Sequence, residues 1–250
     1  MLRALRVLEA ISEVSLPISL PQLGLRTRIP KATLSRLVAA LIGSGYVSVL
    51  PGRRELVPGP AAALLGLHTL GTGQFRRECR AVLRNVVNRL GETCNLTVRD
   101  GDVVTYIERV ESDQPLRLHL EPGTRAPLHC TAGGKLFLAQ LDDAEQDRLL
   151  KVLTLKRITP ATITQPDALR SELRRLRKLG IGVDNEEFVV GMVGLAVPIQ
   201  TAEGTILGAL VCHAAAARVS LSKLEMQTPL MRTAAKALAD LLGMNTASSK

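Results

Sequence analysis

Aromatic side chains are nearly missing: three Phe, two Tyr and no Trp in 250 residues. Proteins that hold single-stranded nucleic acid stack its bases on clustered aromatics, so RNA-recognition and cold-shock-like functions lose their chemical basis. Long apolar runs are missing too. The longest, Ile206 to Ala217, has twelve residues, short of the ~20 that a bilayer-spanning helix needs, and no membrane partner is expected. The opening segment spaces Leu2, Leu5, Leu8 and Ile11 helically with Glu9 among them and Glu13 just beyond, unlike the apolar core of a secretory signal. A cytoplasmic location is the expectation. The four cysteines, Cys79, Cys94, Cys130 and Cys212, form neither a CxxC pair nor a short disulfide framework, which predicts buried reduced thiols. With 46 % hydrophobic and 22 % charged residues, wholesale disorder is excluded and one large or two modest folded domains fit.

The charge, by contrast, is concentrated. Residues 1–90 hold 13 Lys+Arg against 4 Asp+Glu, and residues 91–250 hold 19 of each, so the first third carries the whole net charge of +9. A positive field confined to one module is the footprint of a polyanion partner. Phospholipid would require a basic amphipathic helix with bulky apolar anchors, and here the basic residues are spread over several short elements.

Within that third, Leu5, Leu8 and Ile11 predict a helix over residues 4–14. Ser19 and Gln22 make a capping-box pattern, flanked by a staple pair Ile18 and Leu23 and by Pro21 in the first turn, so a second helix starts there. Pro30 opens a third, whose apolar face is Leu34, Leu37, Val38, Leu41 and Ile42 and which ends at Gly43 to Gly45. Its other face carries Lys31, Thr33, Ser35 and Arg36 among small alanines, suited to a major groove. Ile29 is a poor cap and leaves first-turn N–H groups free for phosphate. Tyr46–Leu50 and Glu55–Val57 predict a β-hairpin with Arg53 and Arg54 at its tip. Three helices and a wing make a winged helix-turn-helix, with a double-stranded DNA operator as partner and a solvated three-helix domain as the bland alternative. The turn before the third helix places Arg28 where Gly is common; the cost of a left-handed non-Gly residue predicts a longer or differently shaped turn. DNA reading by one small module is weak, so a homodimer on a palindrome-like site is expected.

Glycines 71 and 73 mark a break, followed by a helix over 75–90 with an apolar stripe and five arginines on its solvated face. Beyond it, Asn95–Val98 and Val103–Glu108 flank an Asp-Gly turn and read as a hairpin. Further strands are expected at Leu116–Leu120, Gly194–Gln200 and Ile206–His213. Helices are expected at 132–141, 142–152, 167–179 and 222–242, giving an α+β domain. Thr131 caps a helix that begins Ala132-Gly133-Gly134, so its bare N–H groups either face a carboxylate or let the helix pack tightly on the sheet. His213 has two readings as well, a ligand contact or a histidine satisfied by backbone.

No catalytic or metal constellation stands out, and no cofactor is expected. Cys130 to Lys135 fails the P-loop pattern at His129 and Leu136. Asp184, Glu186 and Glu187 form an acidic cluster that is ordinarily just solvated. His129-Cys130 and Cys212-His213 lack the spacing of zinc motifs. A metal sensor or a small-molecule enzyme built on the C-terminal domain is the alternative function.

The segments "ALRVLEAIS", "IPKATLSRLVAALIGSGYV", "LGETCNLTVRDGDVVTYIERVES", "GTRAPLHCTAGGKLFLA" and "LRKLGIGVDNEEFVVGMVGLAVPI" resemble, in order and spacing, the isocitrate lyase regulator (IclR) family of bacterial transcription factors. The resemblance covers about Ala4 to Gly243. It implies a winged helix-turn-helix over 1–60, a linker and connecting helix over 61–90, and a GAF or profilin-like effector-binding domain over 91–250. It also implies a non-enzymatic regulator, a repressor in this reading, dimeric or a dimer of dimers, that responds to a small organic or aromatic acid. Leu118, Ala132, Gly133, Asp184, Gly194, Val211 and His213 match positions lining the family's effector cavity. Where members recognising very small acids carry a cysteine and two serines, this chain has Gly194, Val211 and His213, which implies a larger or more apolar ligand.

Overall fold

The computed structural model describes residues 2–14, 17–50, 54–71, 73–202 and 204–242. The chain divides into two compact units, Met1–Phe75 and Arg76–Lys250.

The first unit runs α1 (Leu2–Ser12), β1 (Ile18–Ser19), α2 (Leu20–Thr27), α3 (Lys31–Gly43), β2 (Val47–Val49), β3 (Glu55–Pro58) and α4 (Pro60–Gly71). Its core follows the helical spacing in part: Ile11 of α1, Leu23 of α2, and Leu34 and Val38 of α3 are buried with Ile18, Val47 and Leu56, and Leu8, Leu37 and Leu41 pack against them. Leu5 and Ile42, however, are exposed, and Val7 is the buried residue of the first turns of α1. Gln22 Oε1 accepts from the Ser19 N–H at 3.0 Å and from its hydroxyl at 2.8 Å, fixing the start of α2. Strand β1 goes unseen in the sequence because two residues make no alternation. It pairs with β3 and turns the expected hairpin into a three-stranded antiparallel sheet, order β1-β3-β2. The expectation of an altered turn at Arg28 is wrong. Arg28 itself takes the left-handed conformation (φ 54°, ψ 27°), and its N–H closes α2 on the Gly24 carbonyl at 2.9 Å. Ile29, preceding a proline, is disfavoured in helix and breaks the chain there. Pro30 is the N-cap of α3, so the cap falls one residue later than the expected Ile29, and it offers no side-chain cap.

The second unit contains α5, which begins at Gly73 (Gly73–Leu90), then β4 (Thr93–Asp100), β5 (Val103–Val110), β6 (Arg125–Pro127), α6 (Ala132–Gln140), α7 (Asp143–Val152), α8 (Pro166–Leu179), β7 (Gly182–Asn185), β8 (Met192–Gln200), β9 (Ile206–Ala215), α9 (Leu221–Glu225) and α10 (Thr228–Leu242). Six antiparallel strands form one sheet in the order β6-β5-β4-β9-β8-β7. Gly101 supplies the positive φ (63°) of the β4–β5 turn. Two sequence expectations fail. Leu116–Leu120 is a loop, because its carbonyls are claimed by guanidinium groups: Arg109 donates to the Leu118 carbonyl, and Arg218 to that of Leu116 at 3.2 Å. Arg125–Pro127 takes the edge of β5 instead. The helix expected over 222–242 is split in two, since Pro229 has no N–H to return to Glu225.

Helix α6 lies flush against β7, β8, β9 and β4, and glycines set its distance. A Cβ on Gly182 would stand 2.0 Å from the Ala132 carbonyl oxygen, and one on Gly134 would stand 2.2 Å from that of Leu128. Both neighbours are backbone and cannot step aside. Gly182→Ala is therefore expected to cost about 1–3 kcal/mol by overpacking, or roughly 2–12 °C in melting temperature at this size. Gly194→Ala, whose Cβ would meet side chains at 3.3 Å, should cost clearly less in the same thermal melt; equal losses would refute glycine-limited packing of α6.

Candidate functional site

In the first unit, Lys31, Ser35 and Arg36 are exposed along one side of α3, with Ala32, Ala39 and Ala40 between and beside them, and Thr33 is half-buried. Leu34 and Val38 hold the opposite side in the core, so the polar face is presented by packing. Lys31 and Arg36 form no ion pair among the described residues. Arg54 is exposed at the start of β3. Arg53, expected beside it, lies outside the described residues.

In the second unit, strand register builds the candidate effector site. Asp184, Gly194, His213 and Thr93 are successive partners across β7, β8, β9 and β4, and Ala196, Val211, Asn95 and Arg109 form the next row. Paired residues share a sheet face, and α6 covers this one. A Cβ on Gly133 would meet Thr97 Oγ1 at 3.1 Å and Val211 Cγ2 at 3.4 Å. A Cβ on Gly194 would meet Ala132 Cβ and His213 Cδ2, each at 3.3 Å, and Asp184 Cβ at 3.4 Å. Ala132, Gly133, Asp184, Gly194, Val211 and His213 thus come together, all buried. Gly134 turns instead onto the Leu128 backbone, so of the two readings of the Ala-Gly-Gly start, tight packing holds for this residue. Thr131 Oγ1 accepts from the Gly134 N–H at 3.2 Å. The N–H groups of Ala132 and Gly133 have no protein acceptor among the described residues. Leu118 is half-buried in the 111–122 loop, reached through its carbonyl by Arg109.

His213 is the most informative group. Its ring stacks on Tyr106 with centroids 6.1 Å apart, Nδ1 lies 3.0 Å from Asn95 Nδ2, and Nε2 is buried without a partner. Burial, reinforced by the nearby Arg109 charge, holds its pKa down at about 3, so the ring is neutral. Asp184 is pushed up to about 7 by burial, although its Oδ1 accepts from the N–H groups of Glu187 (2.8 Å) and Phe188 (3.3 Å). Those N–H groups are presented by a loop in which Glu186 has φ 61° and whose carbonyls are held by Thr159 and Thr162 at 2.7 Å. Beneath it, fully buried Lys135 pairs with Glu187 and, at 3.8 Å, with Glu172.

Sequence reasoning missed Asn95, Thr97, Tyr106, Arg109 and Lys135. The first two had a signal: Thr93, Asn95 and Thr97 alternate with Cys94, Leu96 and Val98, putting three polar residues on one face of a central strand. Arg109 anchors a network. It donates to Asn95 Oδ1 (3.1 Å), Glu111 Oε1 (3.1 Å) and the Leu118 carbonyl. Its neighbour Glu108, 3 % exposed, receives Arg76 at 2.6 Å and Arg80 at 2.8 Å from α5. An open cleft of about 650 Å³ lies between α5 and the 111–122 loop. Its buried walls are these mutually paired charges, which leaves it little spare affinity for a ligand. Among the described residues no three His, Cys, Asp or Glu groups gather to hold a metal; His129 Nε2 meets the Lys156 carbonyl at 2.9 Å. Nor is any helix among them long and apolar enough to cross a membrane.

A winged helix-turn-helix joined to an α+β sensor sheet is the architecture of a ligand-gated transcription regulator. Residues 2–51 match the IclR helix-turn-helix domain and residues 67–240 match the bacterial transcriptional regulator IclR C-terminal family. The chain belongs to the IclR family of bacterial transcriptional regulators. It is 37 % identical over 233 residues to the probable transcriptional regulator SauR of Cupriavidus necator, covering 93 % of this chain and 92 % of that one. It is 30 % identical over 196 residues to the transcriptional repressor IclR of Escherichia coli, covering 78 % and 72 %. A solved complex of the inducer-binding domain of PobR from Acinetobacter, a double mutant with 3-hydroxybenzoic acid, superposes with a TM-score of 0.59 at 30 % identity over 64 % of this chain and 95 % of that domain.

The two buried titrating groups oppose each other in stability. Asp184, whose folded pKa of about 7 lies above its ordinary 3.8, makes folding progressively less favourable as pH rises from about 4 to about 7. His213, whose folded pKa of about 3 lies below its ordinary 6.5, contributes stability above pH 6.5 that is lost as pH falls toward 3. Asp184→Asn removes the first slope. The variant should exceed the parent in denaturant-unfolding stability by up to about 4 kcal/mol at pH 8, with the difference vanishing near pH 4. A variant less stable than the parent at pH 8 would contradict a carboxylate whose charge is disfavoured by burial.

Proposed function

We propose that this protein is a repressor that binds a dyad-symmetric DNA operator as a homodimer or dimer of dimers and responds to a small organic or aromatic acid. In this reading residues 1–60 read DNA, 61–90 connect, and 91–250 sense. Lys31, Thr33, Ser35, Arg36, Arg53 and Arg54 contact DNA; Leu118, Ala132, Gly133, Gly134, Asp184, Gly194, Val211 and His213 surround the effector, with Gly134 acting through packing. The observation that carries the sensing half is the buried Nε2 of His213, without a partner among the described residues, where Gly133 and Gly194 bring helix α6 and the sheet together without side chains of their own. Exchange of hydrogen bonds makes such a group costly unless something occupies it. The relatives named as a repressor and as an inducer-binding domain holding a hydroxybenzoic acid lend the reading its direction.

Coupling requires that the effector bind the DNA-competent and DNA-incompetent states with different affinity. Helix α5 is the lever in this reading, because Arg76 and Arg80 join it to Glu108, next to the arginine that reaches the site through Asn95.

A thermal-shift screen of carboxylic and aromatic acids on the full chain, followed by operator binding with each hit, tests the reading. If no acid stabilises the protein while a divalent metal does so strongly, the metal-sensing alternative replaces it. Gly133→Val should abolish the acid response and leave operator affinity intact, since its methyls would press into Thr97 and Val211 on the sheet face where the effector is proposed to bind. In the reader, Arg36→Ala should relax base preference at one position per half-site, a loss of ~1–3 kcal/mol for the preferred base. Arg54→Ala should weaken all sequences alike and flatten the salt dependence. Uniform weakening by Arg36→Ala, measured by competition against single-base operator variants, would remove its base-reading role.

A further inference from the structure

We propose that Arg109 is a positioning residue for ligand recognition, fixing His213 through Asn95 as an Nε2–H donor so that the buried site selects a ligand by a hydrogen-bond acceptor atom. The proposal rests on the effector-site reading above and adds the chemistry of its polar contact.

Donors and acceptors are fixed in sequence along three side chains. A guanidinium only donates. Arg109, 5 % exposed, points Nη1 at Asn95 from 3.1 Å, so the atom of Asn95 facing it must be the carbonyl oxygen. The amide nitrogen of Asn95 then faces His213, 3.0 Å from Nδ1. An amide NH2 donates as well, and Nδ1 must accept. In a neutral imidazole the proton therefore sits on Nε2. Neutrality follows from the enclosure: the ring is 2 % exposed, Tyr106 covers one side, and the Arg109 charge stands behind Asn95. Asp184, in the same cross-strand row, is the acid on the other side of Gly194, its Cβ 3.4 Å from the position of a Gly194 Cβ. Nε2–H thus projects without a protein acceptor, at the ring edge whose Cδ2 lies 3.3 Å from the position of a Gly194 Cβ. An oxygen acceptor from a carboxylate or a neutral carbonyl satisfies it, whereas an ammonium or other donor-only group leaves it unpaired. Arg109 itself cannot turn away easily, because Glu111 and the Leu118 carbonyl hold its other nitrogens.

Long-range 1H–15N correlation of the full-length protein labelled at histidine, at pH 7, reads the tautomer directly, with His213→Gln identifying the signal. The expected result is a neutral ring protonated at Nε2. Asn95→Asp places an acceptor against Nδ1 and should move the proton there. Arg109→Gln should mix the tautomers, and Arg109→Lys, which still donates toward Asn95, should restore Nε2–H; where Arg109→Gln does not fold, Asn95→Asp carries the comparison. Calorimetric titration with benzoate, benzamide and benzylammonium supplies the ligand arm, with benzylammonium expected to bind at least tenfold more weakly than the better acceptor probe. A proton on Nδ1 in the parent, an unchanged tautomer in Asn95→Asp, or tighter binding of benzylammonium overturns the proposal. Nε2–H with benzamide bound and every acid excluded would uphold it while overturning the acid-effector reading.

Discussion

The contact of helix α6 with the sheet governs what the second unit can be. Its first turn is pressed so close to β7 that Gly182 has no room for a methyl group, and the preceding chain passes Gly134 at the same range. Close-packed interiors have no slack to absorb such a displacement. Because the helix cannot retreat, its approach is graded by glycines: Gly182 and Gly134 meet backbone that cannot move, whereas Gly133 and Gly194 meet side chains at 3.1–3.4 Å that can give a little. The close approach also explains how Lys135 comes to be fully buried: a flush helix leaves its second turn no route to water, and the charge is met by Glu187 and Glu172.

Burying charge this way is costly unless every partner is in place, and the second unit repeats the solution on its other side. Glu108 takes two arginines from α5, while Arg109 takes Asn95, Glu111 and the Leu118 carbonyl. These adjacent residues on β5 face opposite ways. One grips the connecting helix and the other reaches the row of Asn95 and Val211. A shift of the strand at either point disturbs desolvated ion pairs at the other, and such networks favour discrete arrangements over gradual deformation.

How much of this was legible in the sequence depended on the range of the interaction concerned. Helix α3 and its exposed Lys31, Ser35 and Arg36 follow from a 3.6-residue period that Leu34 and Val38 set locally. The wing followed from its turn residues. Arg28 takes the left-handed conformation despite a cost of ~1–2 kcal/mol, because the N–H bond to Gly24 and the following Ile29-Pro30 dictate the backbone there. Leu116–Leu120 alternates like a strand, yet no local signal announces that Arg109 and Arg218 will take its carbonyls. Gly134 and Gly133 look alike in sequence; only the path of Leu128 makes one a packing residue and the other a wall of the site. The polar face Thr93, Asn95 and Thr97 was readable from alternation alone, but its meaning depends on Arg109 fourteen residues later being its cross-strand neighbour.

The site's electrostatics set a condition on any anion that enters it. Lys135 is already balanced by acids, Arg109 is engaged with Glu111, and His213 is a neutral donor. Among the described residues no uncommitted cation waits there. The nearest titrating group is instead Asp184, poised at about 7 by burial. A carboxylate placed beside a buried carboxylate favours protonation of one of them. Asp184 is the group whose proton is available to do this near neutral pH, through a small further rise in a pKa that burial has already lifted. An acid effector would then enter as part of a proton-sharing pair beside a neutral imidazole, with the two free N–H groups at the start of α6 supplying the remaining positive potential. The same burial that makes the empty site costly would thus let it accept negative charge without a counter-ion of its own.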